Sequence, residues 1–345
     1  MTDFNLAAQF SEQPFLLAPM AGVTDAAYRI MCRRHGAPMA YSEMVSVAGL
    51  AYASAKTWDL VLPHEDEPQI CVQLFGSKPE QFREAVCQVQ ERVGDKLSLI
   101  DINMACPARK VVTKGEGSAL MRTPELAEQI AAAAVGEAQV PVTVKIRAGF
   151  AAHELTAPDF ARRMEQAGVS AVAVHGRTAS QLYTGDADWG VVDKVAGAVG
   201  VPVIGSGDVL SAEAAVRMLA TTRASAVFIA RGTYGNPWIF EDAMALHRGE
   251  VPAKHSFDER LDALGEHLDL LHALDAHMAR ARTFSTWYLK GMPHAASWRG
   301  RVVRCTTYED FRSLLDDIRA DVAASVELMD AYGSVPPAPL DSVAR

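Results

Sequence analysis

The chain has 345 residues, of which 49% are hydrophobic and 22% charged, with a formal net charge of −9. This balance excludes a low-complexity or collagen-like chain, and the length suits a barrel of roughly 250 residues with an appendage. No apolar run approaches the roughly 20 residues of a membrane helix, and Met1–Pro14 lacks a basic stretch leading into a long apolar one, so a cytoplasmic protein without membrane or leader segments is expected.

In chain order, short apolar runs predict strands at Phe15–Ala18, Met39–Tyr41, Ile70–Leu74, Ser98–Asn103, Val142–Arg147, Ala171–His175, Val203–Ser206 and Ala226–Ala230. Most are continuous in Val, Ile and Leu, as strands buried on both faces require. Amphipathic stretches between them, such as Pro79–Val93, Pro124–Val135 and Ala212–Leu219, predict helices. Strand–helix alternation implies parallel strands with right-handed crossovers. Eight units predict an α/β fold, a (β/α)8 TIM barrel. No Gly-x-Gly-x-x-Gly turn follows the first strand, which weakens the alternative of an open doubly wound sheet. Beyond about residue 250 only helical periodicity continues, at Phe257–Leu274, Ala276–Leu289 and Tyr308–Met329. The expected organisation is a catalytic barrel over 1–245, a helical domain over 246–332 and a disordered tail over 333–345.

Barrel chemistry sits at the C-terminal ends of the strands. Polar and glycine residues recur there: Pro19-Met20-Ala21-Gly22, Gln73, Asn103 with Cys106, Lys145 with Arg147, His175 with Arg177, Gly205-Ser206-Gly207-Asp208 and Arg231-Gly232. The glycine-bearing ends of strands seven and eight suit a phosphorylated ligand, because backbone N–H groups can approach it closely. Lys145, on a buried strand, must meet an anion, shift its pKa or reach solvent at the rim. The five cysteines are odd in number and include no Cys-x-x-Cys pair, so neither a disulfide framework nor a metal site is expected. Cys32, Cys71 and Cys87 read as small buried hydrophobes. Cys106 differs, lying in a Pro-flanked loop with Arg109, Lys110 and Lys114 nearby, a setting that would lower a thiol pKa.

Taken together these residues resemble the tRNA-dihydrouridine synthases, and most closely the bacterial B type. The resemblance is carried by Ala18-Pro19-Met20-Ala21-Gly22-Val23-Thr24-Asp25, Ser42-Glu43-Met44, Val72-Gln73-Leu74-Phe75-Gly76, Asp101 to Lys110, Gly117-Ser118-Ala119-Leu120, Val144-Lys145-Ile146-Arg147, Val174-His175-Gly176-Arg177-Thr178, Ala187-Asp188-Trp189 and Gly235-Asn236-Pro237-Trp238-Ile239-Phe240. It implies FMN at the barrel mouth, held by Pro19, Met20, Ala21, Gln73, Lys145, His175, Ser206, Gly207, Asp208, Ala230 and Arg231. Asn103 is implied to meet the flavin or the target uracil, and Cys106 to be the catalytic acid. NADPH or NADH is the implied reductant and a uridine of the tRNA D-loop the implied substrate. Ala105, Ala179, Ser206 and Ala230 depart from the family's usual residues, yet none removes a reacting group.

The acidic balance of the whole chain argues against a nucleic-acid partner, but the distribution argues for one. Ala276–Tyr308 contains no Asp or Glu. It holds Arg280, Arg282, Lys290, Arg299, Arg301 and Arg304, with Trp287, Tyr288 and Trp298 interleaved. The arginines and the lysine are expected to face tRNA, together with Arg109, Lys110 and Arg177, whereas Trp287 and Tyr288 also fit a helix core. The chain is expected to act as a monomer. Two other functions fit parts of the pattern: a flavin dehydrogenase of a free pyrimidine, which leaves the basic extension unused, and an RNA-binding protein with a vestigial flavin site, which leaves Cys106 and Lys145 idle.

Overall fold

The computed structural model describes residues 5–52 and 55–332, so the predicted disordered tail lies outside the described residues. Eight strands form one sheet: β1 (Phe15–Leu17), β2 (Val45–Ser46), β3 (Ile70–Phe75), β4 (Leu97–Asn103), β5 (Val142–Arg147), β6 (Ala171–His175), β7 (Val203–Ser206) and β8 (Ala226–Ile229). Every pairing is parallel, in the order β1-β8-β7-β6-β5-β4-β3-β2. The ring closes through two further parallel bridges, Leu17 with Ala40 and Tyr41 with Cys71. The predicted (β/α)8 barrel is therefore present. The segment predicted as its second strand is this closing piece, hydrogen-bonded to β1 through Leu17 and to β3 through Cys71. Regular pairing on that side begins only at Val45.

Helices return the chain between strands and cover the outside. Proline opens those at Pro79–Val93 and Pro124–Glu137, where its missing N–H has no intrahelical acceptor to lose. Asp188 caps Trp189–Ala196 by accepting from Gly190 N–H, and Ser211 caps Ala212–Thr221 by accepting from Ala214 N–H.

Strand alternation divides the side chains into two sets. Val72, Leu74, Ile100, Ile102, Val144, Val172 and Val174 pack outward against helix residues such as Phe82, Val86, Ile130 and Phe160. Leu16, Tyr41, Cys71, Leu99, Ala171, Ala173, Ile204, Ala226 and Phe228 fill the lumen. Along β3, β4, β5 and β6 the lumen set becomes more polar in the chain direction. Leu99 is followed at two-residue spacing by Asp101 and Asn103, and Cys71 by Gln73. Thr143 is followed by Lys145 and Arg147, and Ala173 by His175. The floor of the barrel is apolar and its polar side chains gather toward the C-terminal mouth.

The remaining cysteines divide by exposure. Cys32 and Cys71 are buried, and burial pushes both thiols well up. Cys87, expected inside, is exposed on its helix, and its Sγ donates to the Glu137 carboxylate at 3.7 Å.

The described chain divides into two compact units. The first comprises the described residues up to Thr233 with Trp238–Pro252, and the second comprises Tyr234–Pro237 with the described residues from Ala253 onward. The helix Ile239–His247 stays with the barrel: Ile239 and Phe240 are buried, and the His247 ring meets Phe15 edge-on. The second unit holds helices Phe257–Ala273, Ala279–Tyr288, Ala295–Val302 and Tyr308–Tyr332. Ser256 and Glu259 form a reciprocal capping box at the first of these. The helix Ala295–Val302 was not anticipated, because a short Gly-containing segment carries little periodic signal. Trp287 stacks face-on against Tyr234, with centroids 3.7 Å apart, and Tyr288 is buried. Both are structural within this unit.

Candidate active site

Register places Gln73 beside Asp101 and Asp101 beside Thr143, across three adjacent strands. Their side chains meet in the lumen. Thr143 Oγ1 donates to Asp101 Oδ1 at 2.6 Å, and Gln73 Nε2 donates to Asp101 Oδ2 at 2.7 Å. Asn103 Nδ2 donates to Gln73 Oε1 at 2.8 Å. Asn103 Oδ1 then accepts from the backbone N–H groups of Ala105 at 3.1 Å and Cys106 at 2.8 Å. Burial pushes the Asp101 carboxyl up to about 6, against the donors from Thr143 and Gln73 and the charge of Lys145.

The loop bearing Cys106 is held on every side. Met104 N–H donates to Lys145 O at 2.8 Å, and Ser118 N–H donates to Cys106 O at 3.0 Å. Arg147 Nε donates to Ala105 O at 2.8 Å, while its Nη1 reaches Thr178 O at 2.9 Å and Leu182 O at 3.0 Å. Gly117 lies so close behind that an added Cβ would come within 2.8 Å of Cys106 O. Cys106 itself is half-buried. Its neighbours among the buried cations are Lys145 and Arg147 of β5, whose charged forms Cys106 favours. Arg109, Lys110 and Lys114, the neighbours suggested by sequence proximity, are exposed.

Positive charge accumulates across the mouth. Burial first, then Lys145, Arg147, Arg177 and Arg231, lower His175 to about 2, so its imidazole is neutral at every physiological pH. Burial, followed by Arg147, lowers Lys145 to about 8. Burial lowers Arg147 to about 10. Arg177 and Arg231 share Asp208, with Nη2 of Arg177 at 2.7 Å and Nη2 of Arg231 at 3.0 Å. Burial opposes ionisation of Asp208, but these guanidiniums and the Ala187 N–H hold its carboxyl below the usual range. Lys145 is only 7% exposed, and among the described residues it has no salt-bridge or hydrogen-bond partner for its ammonium. Asp101 in the lumen favours its charged form, yet no carboxylate among the described residues bonds it, and a nearly buried cation so placed calls for an anion.

The FMN expected at this mouth fits these residues. Lys145 would supply positive charge to a reduced flavin, and the ends of β7 and β8 would supply a cradle for its phosphate. Gly207 has φ +115°, and a Cβ there would lie 2.6 Å from Ala187 Cβ and 2.9 Å from His175 Cδ2. Only glycine brings the backbone that close. Ser206 and His175 are buried beside it, and Ala230 and Arg231 follow β8 at the same rim. Pro19, Met20 and Ala21 form a partly exposed loop after β1, closed by Thr24 N–H donating to Met20 O at 3.0 Å. Gly22 N–H donates to the Glu43 carboxylate.

The structure thus gathers Gln73, Asn103, Cys106, Lys145, His175, Ser206, Gly207, Asp208 and Arg231 at one barrel mouth. Sequence reading did not select Asp101, Thr143, Glu43 or Arg147 as site residues. Two-residue spacing from Asn103 and Lys145 marks Asp101, Thr143 and Arg147 as lumen-facing, a signal available in the sequence. Among the residues expected to face RNA, Arg109 and Lys110 are exposed on the short helix Arg109–Val112. Arg177 is not: it is 2% exposed, and its guanidinium is committed to Asp208, Thr184 O and Gly185 O. In the second unit Lys290 and Arg304 are exposed, and Arg280, Arg282, Arg299 and Arg301 half-buried. Arg301 pairs with Asp317, and Arg282 Nε donates to Cys305 O at 2.8 Å. The acid-free stretch is therefore met in space by acids of the following helix. No helix among the described residues is long and apolar enough to cross a membrane.

The family model described as "Dihydrouridine synthase (Dus)" matches residues 16–325. A protein of Xanthomonas axonopodis pv. citri named "tRNA-dihydrouridine synthase B" is 39% identical over 333 residues, 95% of this chain and 96% of that one. One of the same name from Pseudomonas aeruginosa is 40% identical over 294 residues, 84% of this chain and 87% of that one. A "Probable tRNA-dihydrouridine synthase" of Rickettsia bellii is 38% identical over 292 residues, 83% and 89% of the two chains. With a basic mouth built for an anion, a cysteine fixed beside it, and matched sequence running through both units, the chain belongs to the dihydrouridine synthase family.

Proposed function

We propose that this chain reduces the C5=C6 bond of a uridine in tRNA to 5,6-dihydrouridine, with FMN as its cofactor and NADPH as reductant. When bound, FMN supplies the hydride that reaches C6 of the uracil. The C4 carbonyl is conjugated to the bond, so negative charge at C5 spreads onto O4. The Cys106 Sγ–H gives its proton to C5 and completes the saturated ring. The resulting thiolate is stabilised by Lys145 and Arg147 and regains a proton from water. A positioned acid of this kind contributes about 10²–10⁴-fold. Neutral His175 donates or accepts a hydrogen bond without adding charge. Lys145 steadies negative charge on the ring system.

The reading is carried by one observation: Cys106, with its backbone N–H and C=O both engaged, shares a mouth with an almost buried ammonium that no carboxylate among the described residues hydrogen-bonds. A uridine within folded tRNA must be splayed out at a cost of a few kcal/mol, so recognition rests on RNA shape and phosphates. Arg109, Lys110, Lys290 and Arg304 are the exposed cations suited to that work. The chain acts as a cytoplasmic monomer in this reading.

Incubating the purified protein with unmodified tRNA and NADPH, then mapping dihydrouridine by mass, tests the reading. One uridine site, in the D-loop, is expected to gain two mass units. Reduction of free uridine, with tRNA left unchanged, would overturn it.

A further inference from the structure

The chain of side-chain hydrogen bonds beneath Cys106 has a direction, and its direction is fixed at both ends. At one end stand the Ala105 and Cys106 N–H groups, which only donate, so Asn103 turns Oδ1 toward them. Asn103 then presents Nδ2 to Gln73, which answers with Oε1. Gln73 is left presenting Nε2 to residue 101, where an acceptor is required. Asp101 supplies it, with its other oxygen accepting from Thr143. We propose that Asp101 is a positioning residue for Cys106, setting the orientation of two consecutive amides and through them the placement of the thiol. The inference rests on reading Cys106 as the proton donor.

Geometry favours this role over simple filling of the barrel. Asp101 is 1% exposed and has lumen neighbours on both sides, where a leucine-sized apolar residue would pack without desolvating a carboxylate. Without an acceptor at position 101, the Gln73 amide either leaves Nε2 buried with no acceptor, which loosens the chain, or turns over against Asn103. A turned Gln73 offers Nε2 to Asn103. Asn103 then reverses as well and points Nδ2 at two N–H donors. That arrangement is repulsive and releases the loop.

The test compares variants of similar size that keep or lose the acceptor. Asp101→Asn retains an oxygen for Gln73, with Thr143 accepting from the new amide, whereas Asp101→Leu retains none. One link closer, Gln73→Glu keeps an acceptor for Asn103 and, with one proton shared between the two carboxyls, a donor for Asp101, whereas Gln73→Leu keeps neither. All are made with Cys87→Ser, so that the exposed thiol does not react. Alkylation of Cys106 by iodoacetamide, followed by mass in the flavin-free protein, is expected to quicken at least about fivefold in both Leu variants and to stay within about twofold in Asn and Glu. In the loaded enzyme, Asp101→Leu is expected to lower kcat for tRNA reduction at least about tenfold, with oxidation of NADPH changed less than about twofold. Should Asp101→Leu fail to fold, the Gln73 pair decides. Equal alkylation rates in the acceptor-keeping and acceptor-lacking variants would overturn the proposal. Because alkylation needs no substrate, it still reads if the wild-type protein leaves tRNA unreduced, a result that would count against the proposed reaction alone.

Discussion

The Arg177 guanidinium grips the Asp208 carboxylate through both terminal nitrogens, at 2.9 and 2.7 Å. Asp208 sits at φ +53°, in the left-handed region that side chains other than glycine enter at a cost. The grip therefore holds a strained residue at the end of β7 against the loop after β6. Trp189 Nε1, donating to Gly207 O at 2.9 Å, ties the same two loops. Arg177→Met is expected to weaken FMN binding at least about tenfold, because one partner of a bidentate pair is lost and the cradle relaxes. Quenching of FMN fluorescence on titration checks it.

Cys106→Ala is expected to keep bound flavin and NADPH oxidation while uridine reduction falls by about 10²–10⁴-fold. Stopped-flow measurement of the two half-reactions separates them. Loss of both halves together would assign the thiol to cofactor binding instead.

The depressed pKa of Lys145 predicts how cofactor affinity depends on pH. In the free protein burial and Arg147 lower it to about 8, and a bound anion favours the charged form. Affinity for reduced FMN should therefore be full well below pH 8 and fall as pH rises through it, by up to about tenfold per unit for one proton. Lys145→Met should bind weakly at pH 7 and lose the slope. Anaerobic titration at several pH values measures both.

Arg29 and Glu67 form a buried pair at 2.6 Å, 2% and 0% exposed, and Arg29 Nη1 also donates to Thr24 O at 2.9 Å. The pair fixes the loop after β1 from beneath. Arg29→Met should destabilise the protein by about 3–5 kcal/mol, since it strands a buried carboxylate. The double variant Arg29→Met with Glu67→Leu should recover most of that loss in urea unfolding.

For RNA, the exposed Lys290 and Arg304 should matter more than Arg301, whose charge already meets Asp317. Replacing either of the first two by Ala should reduce the slope of log affinity against log salt by about 0.7–0.9 per lost phosphate contact. Arg301→Ala should change it less. Filter binding of tRNA across a salt series gives the slopes.

Sequence by itself determined the barrel, because buried parallel strands must be apolar on both faces and helices between them periodic. It also determined which end of the strands carries chemistry, since polar residues recur where each apolar run stops. Val142–Arg147 and Ala171–His175 are strands with the predicted bounds for that reason. Tertiary structure alone decided what the polar residues do. Gln73, Asp101 and Thr143 belong to three strands 28 and 42 residues apart in the chain, and only barrel register makes them partners. Arg177 reads as a surface cation until Asp208, 31 residues on, claims it. The acid-free run from Ala276 to Tyr308 reads as a uniform basic surface until Asp317 and Asp321 return to meet Arg301, His294 and Trp298. Local patterning follows from solvent and backbone geometry. A side chain's charge state and hydrogen bonds follow from whichever distant segment folds against it.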